Sequence, residues 1–285
     1  MMSSANKISQ HFYTIDDAVP LELRSTFRSL RPYKAHRHAE LSVGAIVGGQ
    51  TCVSFNDRRE ILNTGDVVII PPEVVHACNP VGGMHRSYHM LYIDPDWLCQ
   101  LNGLSPVHFG PSLTVLKSPG LFRQYLAIVD AISNQSSAME IPDLVRSFCQ
   151  SLIALYQSDS SETRVIRHAA EQGSGPESSD RIQQTLMTRL SSPPSLDELA
   201  EEFQQRPETV IRRFSRDYGM TPKALINNLR VEEGKKLLRA GYSIADTALT
   251  LGFSDQSHFH KAFVQYTAAT PNQYRQVMSI FDNKS

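Results

Sequence analysis

The 285-residue sequence holds no stretch approaching the ~18 consecutive apolar residues of a membrane-spanning helix, which argues against a helical membrane protein. Its opening residues, MMSSANKISQHFY, lack the apolar segment of a secretion signal, so a cytoplasmic chain is expected. Cysteine is scarce and scattered. Cys52, Cys78, Cys99 and Cys149 form no Cys-x-x-Cys pair, which leaves neither a disulfide framework nor a zinc knuckle to expect. An excess of one charge sign is missing too, with 28 basic residues against 29 acidic ones. At 41% hydrophobic and 20% charged residues the composition excludes a disordered chain and suits two modest cores.

The overall balance hides a segregation of charge. Residues 1–175 carry 14 Lys and Arg against 16 Asp and Glu, whereas residues 206–275 carry 11 against 6. A locally basic end of this kind serves either as a solvated face or as a surface for nucleic acid.

From Leu41 to Ile93 the chain reads as short strands (LSVGAIVGG, TCVSFND, REIL, DVVIIPP, SYHMLYID) broken by Gly, Pro, Asn and Asp, the pattern of a small all-β barrel or sandwich. The period then changes. Leu121, Tyr125, Ile128, Val129 and Ile132 share one helical face, and Ile141, Leu144, Val145, Phe148, Leu152 and Leu155 share another. A Ser- and Gly-rich stretch without apolar period marks a linker at 160–179 between domains 1–159 and 180–285. Beyond it helix starts recur: Asp180, Ser195 with Glu198 three residues on, Arg206 before Pro207, Thr221 before Pro222, Ser243 and Asp255.

The helical region repeats itself. Superposing Ser195 on Ser243 brings Leu196 over Ile244, Ala200 over Ala248 and Phe203 over Leu251, an offset of 48, and Phe214 meets Phe263 at 49. Each copy has a capped helix with a small residue at its middle, a short turn and a second helix with a polar or basic face. That is the helix-turn-helix pattern, whose second helix enters the major groove of double-stranded DNA. Two copies on one connecting helix from Pro222 to Leu238 could occupy successive grooves about 34 Å apart.

Here the residues become specific. SIADTALTLGFSDQSHFHKAFVQYTAATPNQYR resembles the signature of the AraC/XylS family of transcriptional regulators, with Ile244, Ala248, Gly252, Phe253, Phe259, Phe263, Pro271, Tyr274 and Arg275 at the matching positions. FSRDYGMTPKALINNLRVEEGKKLL is similar to the segment that precedes it. Gly234 departs from the usual Ala, and Ala268 stands where the family usually has Gly. The resemblance implies recognition helices at 207–217 and 256–266. Excluding the core positions Val210, Phe214, Phe259 and Phe263 leaves Glu208, Thr209, Arg212, Arg213 and Arg216 on the first, and Gln256, Ser257, His258, His260 and Lys261 on the second. Arg212 and Gln256 are the foremost base readers, since Arg pairs with guanine and Gln with adenine.

In the N-terminal half, His36, His38 and Glu40 alternate, as side chains on one strand face do. With Gly65, Pro71 and His76 they resemble the two cupin motifs, although Glu40 follows His38 too closely, Glu73 replaces a Gly and Asn79 comes one residue early. The cluster is read as an effector pocket for a small polar metabolite such as an amino acid or sugar, with no metal and no catalytic group. A metal site and simple hydrogen bonding to neighbours are the alternatives. Tyr88, Met90 and Tyr92 alternate on the last strand, one face of which must line the barrel, and Tyr88 joins the pocket residues. Phe148, Leu152 and Leu155 form an apolar stripe expected to carry a homodimer, as the post-barrel helices of the family often do; packing onto the barrel is the other use for it.

The expected protein is thus an N-terminal cupin-like barrel followed by two helices and an all-α domain with two helix-turn-helix units. As an activator or other regulator, it would bind DNA under the control of an effector, with RNA polymerase as a further partner, no cofactor and no membrane. A metal-dependent cupin dioxygenase or isomerase with a DNA-binding appendage is the enzyme alternative. A constitutive DNA binder without effector is the third reading.

Overall fold

The computed structural model describes residues 9–16, 19–55, 58–103, 113–134, 140–157, 177–276 and 278–279. Its N-terminal region holds β1 (Ser9–Asp16), β2 (Val19–Ser29), β3 (Leu41–Gly48), β4 (Gln50–Phe55), β5 (Arg58–Asn63), β6 (Val67–Ile70), β7 (Ala77–Pro80) and β8 (Arg86–Ile93). These are followed by α1 (Pro95–Asn102), β9 (Thr114–Leu116), α2 (Pro119–Ser133) and α3 (Glu140–Gln157). The C-terminal region holds α4 (Glu177–Thr188), α5 (Leu196–Glu202), α6 (Pro207–Tyr218), α7 (Pro222–Arg239), α8 (Ile244–Thr250), α9 (Gln256–Thr267) and α10 (Pro271–Arg275). A two-residue β10 (Met278–Ser279) returns to pair in parallel with β1. Among the described residues no helix is long and apolar enough to cross a membrane.

The strands form two sheets, ordered β10-β1-β2-β8-β3-β6-β9 and β5-β4-β7, and not a closed barrel. The larger sheet is covered on both faces, and its sequence follows from that. Leu21, Leu23, Val43, Val67, Ile69, Leu91 and Ile93 point outward onto α2 and α3, where Tyr125, Ile128, Ile132, Val145 and Phe148 complete one core. The alternate residues Ile46, Val68, Ile70 and Tyr88 point inward onto Val53, Phe55 and Leu62 of the small sheet, forming a second core. A strand buried on both faces loses the polar alternation of a surface strand, hence the run Val67–Ile70.

The stripe of α3 is covered within the chain. Phe148 and Leu152 are buried within the chain's own core, and Leu155 packs against the same cluster. The apolar stripe of α3 thus packs with α2 and the outer face of the sheet, the second use weighed for it above.

The caps place the helices as expected. Ser195 and Glu198 exchange backbone hydrogen bonds in a capping box, and Thr221, Ser243 and Asp255 accept from N–H groups of their first turns. Asp180 is the exception. α4 starts at Glu177, inside the expected linker, and the Asp180 carboxylate accepts from the Tyr218 hydroxyl instead. The rest of the expected linker through 176 lies outside the described residues.

α7 belongs to both helix-turn-helix units. Leu225 and Ile226 pack with Ile182, Leu199, Val210 and Phe214 of the first, while Val231 and Leu238 pack with Ala248, Phe259 and Phe263 of the second. Gly234 explains its own departure from the family pattern, for a Cβ there would stand 2.9 Å from the Phe259 ring. Ala268 caps α9 with a left-handed φ of 50°, a conformation that usually favours glycine.

The two regions dock on each other. Val75, just before β7, enters the core of the first unit, and Phe12 of β1 enters that of the second. Backbone N–H groups of Lys34 and Arg37 donate to the Gln265 carbonyl and to Asn228 Oδ1, at 2.9 and 2.8 Å.

Candidate functional site

The helices expected to read DNA are α6 and α9, close to the expected ranges. On α6, Glu208, Arg212 and Arg216 are exposed and Thr209 and Arg213 half-buried, around buried Val210 and Phe214. On α9, Gln256, Ser257, His258, His260 and Lys261 are all exposed, around buried Phe259 and Phe263. Two of these side chains are partly engaged: Arg216 Nε donates to Asp217 at 3.0 Å, and His258 Nδ1 lies 3.2 Å from Ser254 Oγ.

The histidines converge, though by a different route from the one expected. Residues 37–40 are loop rather than strand, and only His36 forms an isolated antiparallel bridge, with His76. That bridge, with both N–H···O distances 2.9 Å, sets the rings of His36 and His76 4.5 Å apart, with His38 4.7 Å from His36 and 5.4 Å from His76. His36 Nδ1 lies 2.7 Å from the Lys34 carbonyl and His76 Nδ1 2.9 Å from that of Val74, so with Nδ1–H donating, both Nε2 lone pairs are free. One ring nitrogen from each of His36, His38 and His76 could serve as a metal ligand. Glu40 approaches His38 and Glu232 instead, so the four-residue cupin set does not meet at one point.

Burial, first, and the neighbouring imidazoles, second, hold His36 well below its ordinary pKa near 6.5. His38 is lowered by burial and by the Lys235 ammonium, which outweighs a 3.4 Å approach to Glu232 that lacks hydrogen-bond geometry. Burial takes His76 down to about 4. All three are neutral at pH 7. A depressed folded pKa means that the unfolded chain binds more protons, so this contribution is whole above pH ~6.5 and is lost as pH falls toward 4. Each histidine contributes up to ~1.4 kcal/mol per pH unit in that window. Thermal melts between pH 7 and 4.5 are expected to show a falling midpoint, with a shallower slope in His76→Gln; an unchanged slope would contradict it.

Tyr88 lines the interior with Tyr33, Arg86, His36 and His76, as do Met90 and Tyr92 from the same strand face. Four contributors are absent from the sequence reading. Arg24 on β2 lies over the rings of Tyr33 and Tyr88, and Arg86 starts β8. Glu232 and Lys235 of α7 stand at the mouth, the latter 5.4 Å from the Tyr92 ring. Their neighbour Arg239 pairs with Glu22, which also accepts from the Tyr274 hydroxyl at 2.8 Å. The signal for Arg24 was present in LELRST, where polar residues alternate with Leu21 and Leu23.

A two-sheet fold with a polar interior, joined to two DNA-reading units, defines a transcriptional regulator with a ligand-binding domain. The comparisons agree with this. Residues 28–148 match the AraC-like ligand binding domain and residues 199–277 a helix-turn-helix domain. The chain is 26% identical over 237 residues to the uncharacterized HTH-type transcriptional regulator YbfI of Bacillus subtilis, covering 80% of this chain and 82% of that one. To the transcriptional activator RhaR of Mannheimia succiniciproducens it is 23% identical, covering 96% and 98%. Apo ToxT of Vibrio cholerae shares the fold at a TM-score of 0.58 and 11% identity, covering 92% of this chain and 98% of that one. The chain thus joins an AraC-like ligand binding domain to a helix-turn-helix domain, and the relatives it resembles are HTH-type transcriptional regulators and activators.

Proposed function

We propose that the interior between the two sheets senses a small polar molecule and that its occupancy changes how α6 and α9 meet DNA. One observation supports this most. The pocket wall that carries His38 touches Glu232 and Lys235 of α7, the one helix shared by both DNA-reading units. An occupant that moves His38 therefore acts directly on the element that sets the spacing of the two recognition helices. His36, His38, Glu40, His76 and Tyr88 are the effector residues in this reading.

α6 and α9 then enter successive major grooves over ~17–20 base pairs. Arg212→Ala and Gln256→Ala are expected to relax base preference at one position each and to cost roughly 1–3 kcal/mol. Arg216→Ala leaves preference intact and lowers the salt slope by about one unit. Footprinting and salt titrations check this, and a uniform effect of all three would contradict the assignment. His38→Ala and His76→Ala are expected to remove the effector's influence and keep basal binding. Near-stoichiometric metal lost with these substitutions would give the pocket to the metal-cupin reading instead.

A further inference from the structure

A guanidinium keeps its charge at any pH a protein tolerates, so burying one without a carboxylate is costly. The sensor interior buries two. Arg24 and Arg86 are 2% and 1% exposed. They project from neighbouring strands, Arg24 opposite Met90 and Arg86 opposite Ser29 in the β2–β8 register. Both flank the same pair of rings: Arg24 lies 5.4 and 6.0 Å from Tyr33 and Tyr88, and Arg86 lies 5.7 and 5.2 Å from them.

Their partners are neutral. Arg24 Nε donates to Thr26 Oγ1 at 3.2 Å, and Arg86 donates to Thr51 Oγ1 at 2.8 Å and to the Arg31 carbonyl at 3.3 Å. Arg24 Nη2 and Arg86 Nε are buried with no hydrogen-bond partner. Among the described residues no carboxylate pairs with either, whereas buried Arg37 and Lys235 face Glu73 and Glu232. Glu22, two residues from Arg24, is taken by Arg239 and Tyr274. Arg230, also without a carboxylate, donates to the Leu190 and Ser191 carbonyls and leaves no buried nitrogen unpaired. The local positive potential reaches the phenols: both guanidiniums pull Tyr88 below its ordinary range against its burial, while it shares a short hydrogen bond with Tyr33.

We infer that the sensor takes a short, uncharged-tailed organic carboxylate, a 2-hydroxy or 2-oxo acid, with its carboxylate beside Arg86, its oxygen-bearing tail toward His36 and His76, and Arg24, which flanks the same two tyrosine rings, adding its field. The planar guanidinium fork suits a carboxylate. The cavity lined by Arg86, His36 and His76 is about 30 Å³, and a second space of about 10 Å³ lies beside Arg24, so a few atoms only are admitted. Two unpaired cations reject an ammonium, which sets this class apart from the amino acids. The neutral histidines, whose Nδ1–H groups face backbone carbonyls, offer Nε2 to the hydroxyl of a 2-hydroxy acid, whereas the carbonyl of a 2-oxo acid requires one ring to give up its backbone partner and carry the proton on Nε2. The inference rests on the sensor reading above and names its ligand class.

The test uses the full-length chain in carboxylate-free buffer, with lactate and pyruvate as probes and lactamide, alanine and sulfate as controls at matched ionic strength. Lactate or pyruvate at ~100 times Kd is expected to raise the melting midpoint by roughly 5–10 °C, and the controls to leave it unmoved. Calorimetric affinity is expected to fall at least ~10-fold in Arg24→Met, whose midpoint without ligand holds or rises because an uncompensated charge is gone. The wild-type contrast of lactate with lactamide stands even if a variant misfolds. Equal shifts from lactamide or sulfate, or none from either acid, overturn the carboxylate class. If a neutral polyol binds and alters DNA binding through His38 while the acids do nothing, this inference fails and the sensor reading survives; if neither acts and His38→Ala changes nothing, both fail.

Discussion

Phe148→Glu is expected to abolish cooperative folding of the N-terminal domain rather than to separate a pair of protomers. Phe148 is 2% exposed on α3, its ring 6.1 Å from that of Tyr125, whose hydroxyl donates to the Val43 carbonyl of β3 at 2.9 Å. The side chain thus sits where the helix pair is pinned to the large sheet. Removing a buried Phe costs ~3–5 kcal/mol, and a carboxylate left in that apolar site adds several more. A domain's whole stability is only ~5–15 kcal/mol. Circular dichroism melts of the purified variant are expected to lose the transition of the N-terminal domain, with soluble material aggregated. A folded monomer with an unchanged midpoint would show instead that the stripe faces a partner.

That expectation follows the second of the two uses the stripe allows from sequence, and the reason both were open is general. A helical apolar face reports that something covers it and not what. Ile141, Val145, Phe148 and Leu152 have one period whether sheet or second copy lies above. The helix-turn-helix half was legible because its signals are local: caps at Ser195, Thr221, Ser243 and Asp255, and recognition positions that lie between buried aromatics. The sensor half was less so. β1 and β2 lie ahead of the strand run that starts at Leu41, and their Glu22, Arg24 and Thr26 point polar groups into the interior, where apolar ones mark a core. The histidines were found by residue type, but their convergence comes from the His36–His76 bridge and a loop, not from one strand face. Glu232 and Lys235 lie nearly 200 positions from His38, and only docking of the N- and C-terminal regions brings them to it.

Gly252→Ala is expected to remove the second DNA-reading unit. Gly252 joins α8 to α9 with φ 73°, which by itself costs an L-residue ~1 kcal/mol. Space is the larger obstacle. A Cβ there would stand 1.9 Å from the Ser191 carbonyl oxygen and 2.8 Å from Arg230 Nη2. The carbonyl cannot swing aside freely, because Arg230 holds both it and that of Leu190, at 3.1 and 2.8 Å, while stacking 5.3 Å from Phe253. Relief therefore requires the 190–191 segment, Arg230 and the α8–α9 turn to shift together, and Phe253 and Phe259 lose their packing. A cost of ~3 kcal/mol or more follows from strain and broken hydrogen bonds. Gly241 gives the control: its φ is 89°, but nothing lies within 4 Å of its Cβ position, so Gly241→Ala carries only the conformational penalty. Footprinting of Gly252→Ala is expected to show protection in the α6 groove alone and specific affinity lowered ~100-fold or more, with the N-terminal melting transition unchanged. Gly241→Ala keeps the full footprint, and equal footprints from the two variants would mean that the Ser191 contact yields cheaply and does not set the angle of α9.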